Sequence, residues 1–191
     1  MHSAFNQDTL MTLGITHIVN ASGVPNTFPK TFTYLYIDIK DKETSNVLSC
    51  IPTTNIFIEA GIDAGAVLIH CYGGVSRSAA LIAAFLMSSY GWSYDHTINE
   101  LKSKRSVIAI NAGFEQQLKA YSRCNFDVYT AQQLLLRDRI KSLKDYRILR
   151  GNHHHNHQHR FHSNITYHLN HHYHYHHHYH HYHHYHLKVI V

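Results

Sequence analysis

Two hydrophobic periods alternate along most of the chain. Ile15-Thr16-His17-Ile18-Val19-Asn20 is a short β-branched run bounded by Gly14 and Gly23, which predicts a strand. Tyr34-Leu35-Tyr36-Ile37-Asp38-Ile39 predicts a second. From Ile51 the period lengthens: Ile51, Ile58 and Ile62 share one helical face, with Pro52 tolerated in the first turn. Ala66-Val67-Leu68-Ile69 follows Gly65 as an unbroken apolar run, the pattern of a strand buried on both faces. Ser78 to Tyr90 is apolar almost all round, from Ala79 to Met87, and predicts a buried helix. Ser93 caps a further helix ending near Arg105. Asn111 opens another, with Phe114, Leu118 and Tyr121 at i, i+4 and i+7. Thr130 followed by Gln133 resembles a capping box for a last amphipathic helix carrying Leu136, Ile140 and Leu143. This alternation predicts an α/β fold, a central mostly parallel sheet flanked by helices.

Composition divides the chain. Of 22 histidines, only His2, His17, His70 and His96 precede His153, and no Asp or Glu follows Asp145. A folded domain is therefore expected over 1–150, and a His/Tyr-rich low-complexity tail over 151–191. The tail is expected to be disordered, with no more than nonspecific binding of metal ions, because nothing in it fixes a ligand geometry. The net charge of +5 is spread along the chain. A nucleic-acid partner is not expected, since that wants a concentrated basic patch with aromatic platforms. Cys50, Cys71 and Cys124 form no CxxC pair, which argues against a disulfide framework or a zinc site. No signal peptide is visible and no apolar run is long enough to span a bilayer, so no membrane role is expected. A reducing compartment, the cytoplasm or also the nucleus, follows by default.

The candidate chemistry lies in His70-Cys71-Tyr72-Gly73-Gly74-Val75-Ser76-Arg77-Ser78, between an expected strand and an expected buried helix. Such a loop can turn several backbone N–H groups toward one point, and the helix N-terminus adds partial positive charge there. A phosphate dianion is the natural occupant. Gly73 and Gly74 permit unusual dihedrals and close backbone approach. Arg77 offers a planar fork for two phosphate oxygens, and Cys71 opens the loop where a thiolate is favoured. Any one of these features is weak alone; a cysteine, two glycines and an arginine in register is a strong signal.

The pattern His-Cys-x-x-Gly-x-x-Arg-Ser resembles the signature of the protein tyrosine phosphatase superfamily, with Gly74 at its fixed glycine. Gly14-Ile15-Thr16-His17-Ile18-Val19-Asn20, Ala84-Phe85-Leu86-Met87 and Asn111-Ala112-Gly113-Phe114 with Gln117-Leu118 resemble the dual-specificity branch, in particular its small atypical members. The resemblance covers about residues 9 to 123 and implies a protein phosphatase that needs neither metal nor cofactor. Cys71 would attack phosphorus to give a phosphocysteine. Arg77 and the backbone of Tyr72, Gly73, Gly74, Val75 and Ser76 would hold the phosphoryl oxygens. Ser78 would assist the thiolate as leaving group. His70 would order the loop and hold the cysteine pKa down, or else is simply a satisfied core histidine. A general acid is also required. Asp41, 30 residues before Cys71, is the favoured candidate. Asp38 is its rival, on the strand face of Tyr34 and Tyr36.

Two departures stand out. Ile110 occupies a position that is proline in many relatives, and the edge strand that usually precedes the segment near Asp8 is expected to be missing, which would leave an uncovered edge. Phosphorylated proteins are the expected substrates, with phosphotyrosine, phosphoserine and phosphothreonine all candidates. Tyr72 to Ser76 carry no Lys or Arg, which disfavours a phosphoinositide substrate. A phosphoprotein-binding module without turnover is the alternative, and a scaffold role of the tail a third.

Overall fold

The computed structural model describes residues 6–151 and 189–190. The elements are α1 (Gln7–Thr12), β1 (Ile15–Asn20), β2 (Thr33–Tyr36), a 3-10 turn (Leu48–Cys50), α2 (Ile51–Ala64), β3 (Ala66–His70), α3 (Arg77–Tyr90), α4 (Tyr94–Lys104), α5 (Ala112–Arg123), α6 (Val128–Gly151) and β4 (Val189–Ile190). The chain forms two compact units that part between Arg139 and Ile140, and the first also holds β4. The described part of the second unit is the stretch of α6 from Ile140 to Gly151. The expected tail otherwise lies outside the described residues, as does its expected affinity for metal. No helix among the described residues is long and apolar enough to cross a membrane.

The sheet has the order β2-β1-β3-β4 and every pairing is parallel. β3 lies second from one edge and is covered on both faces. Val67 and Ile69, both fully buried, join β1's Val19 and the helices α2, α3 and α5 in the larger core cluster. Ala66 and Leu68 alternate to the other face, with Leu10, Ile15, Ile18 and Phe32. The unbroken apolar run therefore has the placement expected of it. α3 runs through the larger cluster, buried from Ser78 to Met87. Its four alanines (Ala79, Ala80, Ala83 and Ala84) combine high helix propensity with close packing. Gly91, at φ 66°, ends it in the left-handed conformation.

Three local expectations change. The second strand stops at Tyr36 rather than Ile39: Ile37 N–H still donates to Asn20 O (2.9 Å), but Ile39 N–H then turns back onto Ile37 O (3.0 Å). Ile37 and Ile39 enter the core there, and Asp38 points outward, exposed. The cap of the last helix is Asp127, whose Oδ1 accepts from Thr130 N–H (2.7 Å), so that helix starts earlier than a Thr130 capping box implies. Among the described residues no strand precedes β1. The outer edge of β3 is paired with β4, in the register Val67↔Val189 and Leu68↔Ile190.

Candidate active site

The end of β3 and the start of α3 are fixed structures, and the six residues between them form a tight loop. Ala21 N–H donates to His70 O (2.8 Å), which secures the strand end. From there the loop's carbonyls are held from outside. Arg105 Nε donates to Gly74 O (3.2 Å), Arg105 Nη2 reaches Gly73 O (3.5 Å), and Ala109 N–H donates to Val75 O (3.0 Å). With these carbonyls drawn outward, the intervening N–H groups face inward, as an anion cradle requires. Gly74 has φ 63°, and a Cβ there would lie 3.1 Å from Arg105 Nη2, so the turn calls for glycine.

Cys71 sits at the bottom of this loop, 7% exposed. Burial by itself would push its thiol up. The Ser78 hydroxyl, 3.2 Å from Sγ, and the N–H groups of Ser78, Gly74 and Val75 outweigh burial and hold the thiol below its ordinary value. The group therefore lies inside a ring of donors that favour its thiolate form. His70 is also half-buried, and burial chiefly lowers its pKa, against a hydrogen bond that its ring donates to the Cys71 backbone carbonyl. Burial thus works against a cationic charge on His70 beside the loop.

Arg77 is the first residue of α3. Its Nη1 donates to Ser22 O (3.1 Å), while its buried Nε has no hydrogen-bond partner and lies 3.9 Å from Asp41 Oδ2, too far for a hydrogen bond. Ser22 is itself pinned, since its N–H (3.0 Å) and Oγ (2.6 Å) both donate to Asn20 Oδ1. Asn20 Nδ2 in turn holds Val24 O and Asn26 Oδ1, each at 2.9 Å. One side of the guanidinium is thus fixed to the β1 end, and the other is directed at the loop.

Asp41 reaches the same place from the β2–α2 connection. Its Oδ1 accepts from Ser76 Oγ and from Asn111 Nδ2, both at 2.7 Å. Ser76 is the N-cap of α3 but gives its hydroxyl to Asp41, which leaves the first turn of α3 without a side-chain cap. The Asp41 loop is held farther along by Gln117. Its Oε1 accepts from Val47 N–H (2.9 Å) and Leu48 N–H (3.3 Å), and its Nε2 donates to Ser45 O (2.8 Å). Gly113, in the first turn of α5, lies directly against the backbone of Glu43.

The structure thus brings Cys71, Arg77, Ser78, Ser76, Asp41 and the backbone of Gly73, Gly74 and Val75 together around one concavity. Tyr72 projects outward at 63% exposure. Asp38, the rival acid, is turned away. Four residues to which the sequence reading gave no role in the site support it: Asn20, Ser22, Arg105 and Asn111, the last noticed as a helix cap and, like Asn20, within a family-like motif. Asn20 carried one signal, a polar residue closing an apolar strand. Arg105 carried none. A thiol held below its ordinary pKa, a helix N-terminus without a side-chain cap, inward amides and the Arg77 guanidinium define a site able to bind a tetrahedral oxyanion and attack its central atom from below.

Comparison with known proteins agrees with this description. Residues 2–124 match the family model for the dual specificity phosphatase catalytic domain, and the chain belongs to that family. It is 41% identical over 121 residues to mouse Dual specificity protein phosphatase 19, covering 62% of this chain and 55% of that protein. It is 37% identical over 121 residues to a Protein phosphatase Slingshot homolog of Xenopus laevis, covering 62% of this chain and 18% of that one. The chain therefore spans only part of the curated relatives it matches. A solved structure of similar fold is the human tyrosine phosphatase-like serine/threonine/tyrosine-interacting protein. Its TM-score is 0.62 at 32% identity, covering 65% of this chain and 89% of that one.

Proposed function

We propose that this chain hydrolyses phosphate monoesters of tyrosine, serine and threonine in phosphorylated proteins, through a phosphocysteine intermediate. The observation that carries the reading is the thiol of Cys71, seated 3.2 Å from the Ser78 hydroxyl and held below its ordinary pKa, against its own burial, by that hydroxyl and the N–H groups of Ser78, Gly74 and Val75. In the first step the Cys71 thiolate attacks phosphorus, a S–P bond forms, and the ester P–O bond breaks. Arg77 Nε and the inward N–H groups hold the equatorial oxygens, and Asp41 gives its proton to the departing oxygen. In the second step water attacks phosphorus and returns a proton to Asp41. The S–P bond breaks, the Ser78 hydroxyl stabilises the thiolate as it leaves, and inorganic phosphate is released. His70 orders the loop through its backbone carbonyl, which accepts from Ala21 N–H.

Tyr72, Gly73, Gly74, Val75 and Ser76 bring no cation to the mouth, and Arg105 is occupied with the carbonyls of Gly73 and Gly74. This favours a phosphoprotein over a phosphoinositide, whose extra ring phosphates would call for free positive charge. The exposed Tyr72 ring offers an apolar surface to residues flanking the phosphorylated one. A reactive thiol suits a reducing compartment such as the cytoplasm or nucleus. Phosphoprotein binding without turnover is the second reading, favoured by the likeness to a protein described as phosphatase-like and interacting. Purified protein is tested on nitrophenyl phosphate and phosphopeptides. Turnover abolished by Cys71→Ser is expected; binding of phosphopeptides with no such turnover selects the second reading.

A further inference from the structure

The two carboxylate oxygens of Asp41 have unlike surroundings. Oδ1 is engaged by Ser76 Oγ and Asn111 Nδ2, each at 2.7 Å. Oδ2 is left on the side of Arg77, 3.9 Å from its Nε. We propose that Asn111 is a positioning residue for proton transfer: it locks Oδ1 as an acceptor, so that Oδ2 alone carries the proton to the leaving oxygen. This rests on Asp41 being the general acid of the reaction proposed above.

Hydrogen-bond polarity makes the assignment. Asn111 Oδ1 accepts from Phe114 N–H (2.9 Å) as the cap of α5, so the amide has one orientation and Nδ2 must face Asp41. Ser76 Oγ accepts from Asn111 N–H (3.2 Å) and lies 3.4 Å from Asn111 Nδ2, so its own proton is directed to Asp41 Oδ1. Both neighbours of Oδ1 therefore donate, and a proton placed on Oδ1 would meet no acceptor. The acid proton sits on Oδ2, where it passes to the departing ester oxygen, and Oδ2 takes a proton back from the attacking water. The same cap that starts α5 thereby sets which atom of a loop aspartate performs the chemistry.

The test uses the full chain and two aryl phosphates, nitrophenyl phosphate with a good leaving group and phenyl phosphate with a poor one. Asn111→Ser keeps a capping hydroxyl for α5 but is too short to reach Asp41. Its kcat/KM ratio, nitrophenyl over phenyl, is expected to rise about tenfold over wild type, because a displaced general acid is felt most where the leaving oxygen most needs a proton. Combining it with Asp41→Asn should raise the ratio no further than Asp41→Asn alone. Asn111→Asp, which also caps, serves if the serine variant is unstable: it sets an acceptor against Oδ1, draws the proton there, and should raise the ratio likewise. A ratio unchanged in the folded variants, or equal losses on both substrates, overturns the inference while leaving the phosphatase reading intact. Wild-type protein without Cys71-dependent turnover overturns both.

Discussion

A single methyl group at Gly113 should move the acid loop off the site. A Cβ built there lies 2.5 Å from both Cα and the carbonyl carbon of Glu43, and closer still to its carbonyl oxygen. Non-bonded carbons settle at about 3.5–4.0 Å, so one backbone must retreat by roughly 1 Å or more. α5 is the fixed partner, because Phe114 and Leu118, one and five positions along, are fully buried. The loop gives way instead, and Asp41 is two residues from Glu43. Its two 2.7 Å contacts to Ser76 and Asn111 cannot both survive such a shift. A misplacement of that size costs about 10²-fold in rate, or about 2.7 kcal/mol in the barrier. Gly113→Ala is thus expected to lower kcat/KM on phenyl phosphate about a hundredfold, with a smaller loss on nitrophenyl phosphate. Thermal stability should change little, since overpacking of about 1–3 kcal/mol is partly offset by about 1 kcal/mol of helix propensity gained over glycine. Steady-state kinetics on both esters, with a melting curve for each protein, decide it. Wild-type rates on phenyl phosphate from a folded Gly113→Ala protein would refute the steric argument.

Three further outcomes follow from the same geometry. Ser78→Ala removes the largest contribution holding the Cys71 thiol down, so its pKa rises; the pH profile of thiol alkylation by iodoacetate should move to higher pH, and phosphocysteine breakdown should slow enough to show a burst. Arg105→Ala frees the carbonyls of Gly73 and Gly74 and loosens the amide cradle; affinity for vanadate, measured as an inhibition constant, should fall about tenfold. Ile69→Ala empties a fully buried site in β3 and should destabilise the fold by about 2–5 kcal/mol in denaturant titration.

Much of the site was legible because nucleophile, cradle and arginine are consecutive residues, and a short stretch of chain carries its own geometry. The β3 and α3 runs were legible for a related reason: full burial leaves apolar residues on every face, and no other local pattern looks like that. Asp41 was singled out because it follows a strand and lies 30 residues before Cys71, a spacing similar to the family's, and the fold sets it beside Ser76 and Arg77. What could not be read is whatever acts across distance in sequence. Asn20 and Ser22 steady Arg77 from some fifty positions away, Gln117 grips a loop about seventy positions earlier, and Arg105 reaches back about thirty. Such polar residues look like ordinary loop or helix-end residues until the fold sets a carbonyl before them. The early end of the second strand and the Asp127 cap were missed for a smaller reason. Apolar alternation continues through Ile37 and Ile39 after the pairing has ended, and two residues with capping side chains stood within one turn of each other.

The two neighbours of the strand that ends at Cys71 differ greatly in chain distance. β1 meets β3 across a separation of roughly 50 residues, whereas β4 meets it across roughly 120, and the longer closure carries the larger entropy. Contact order then sets a sequence of events: β1 and β3 can pair, seat α3 and close the loop at Cys71 before β4 docks. The β1–β3 register also spans the whole of β3, from Ala66 to His70, while among the described residues β4 pairs with Val67 and Leu68. Amide protons directed toward β1 should therefore belong to the slowest-exchanging set in the protein, and those directed toward β4 should exchange through a more frequent local opening. The nucleophile's strand is thus expected to be stiffer on its inner side than on its outer one, an asymmetry that hydrogen exchange would report residue by residue.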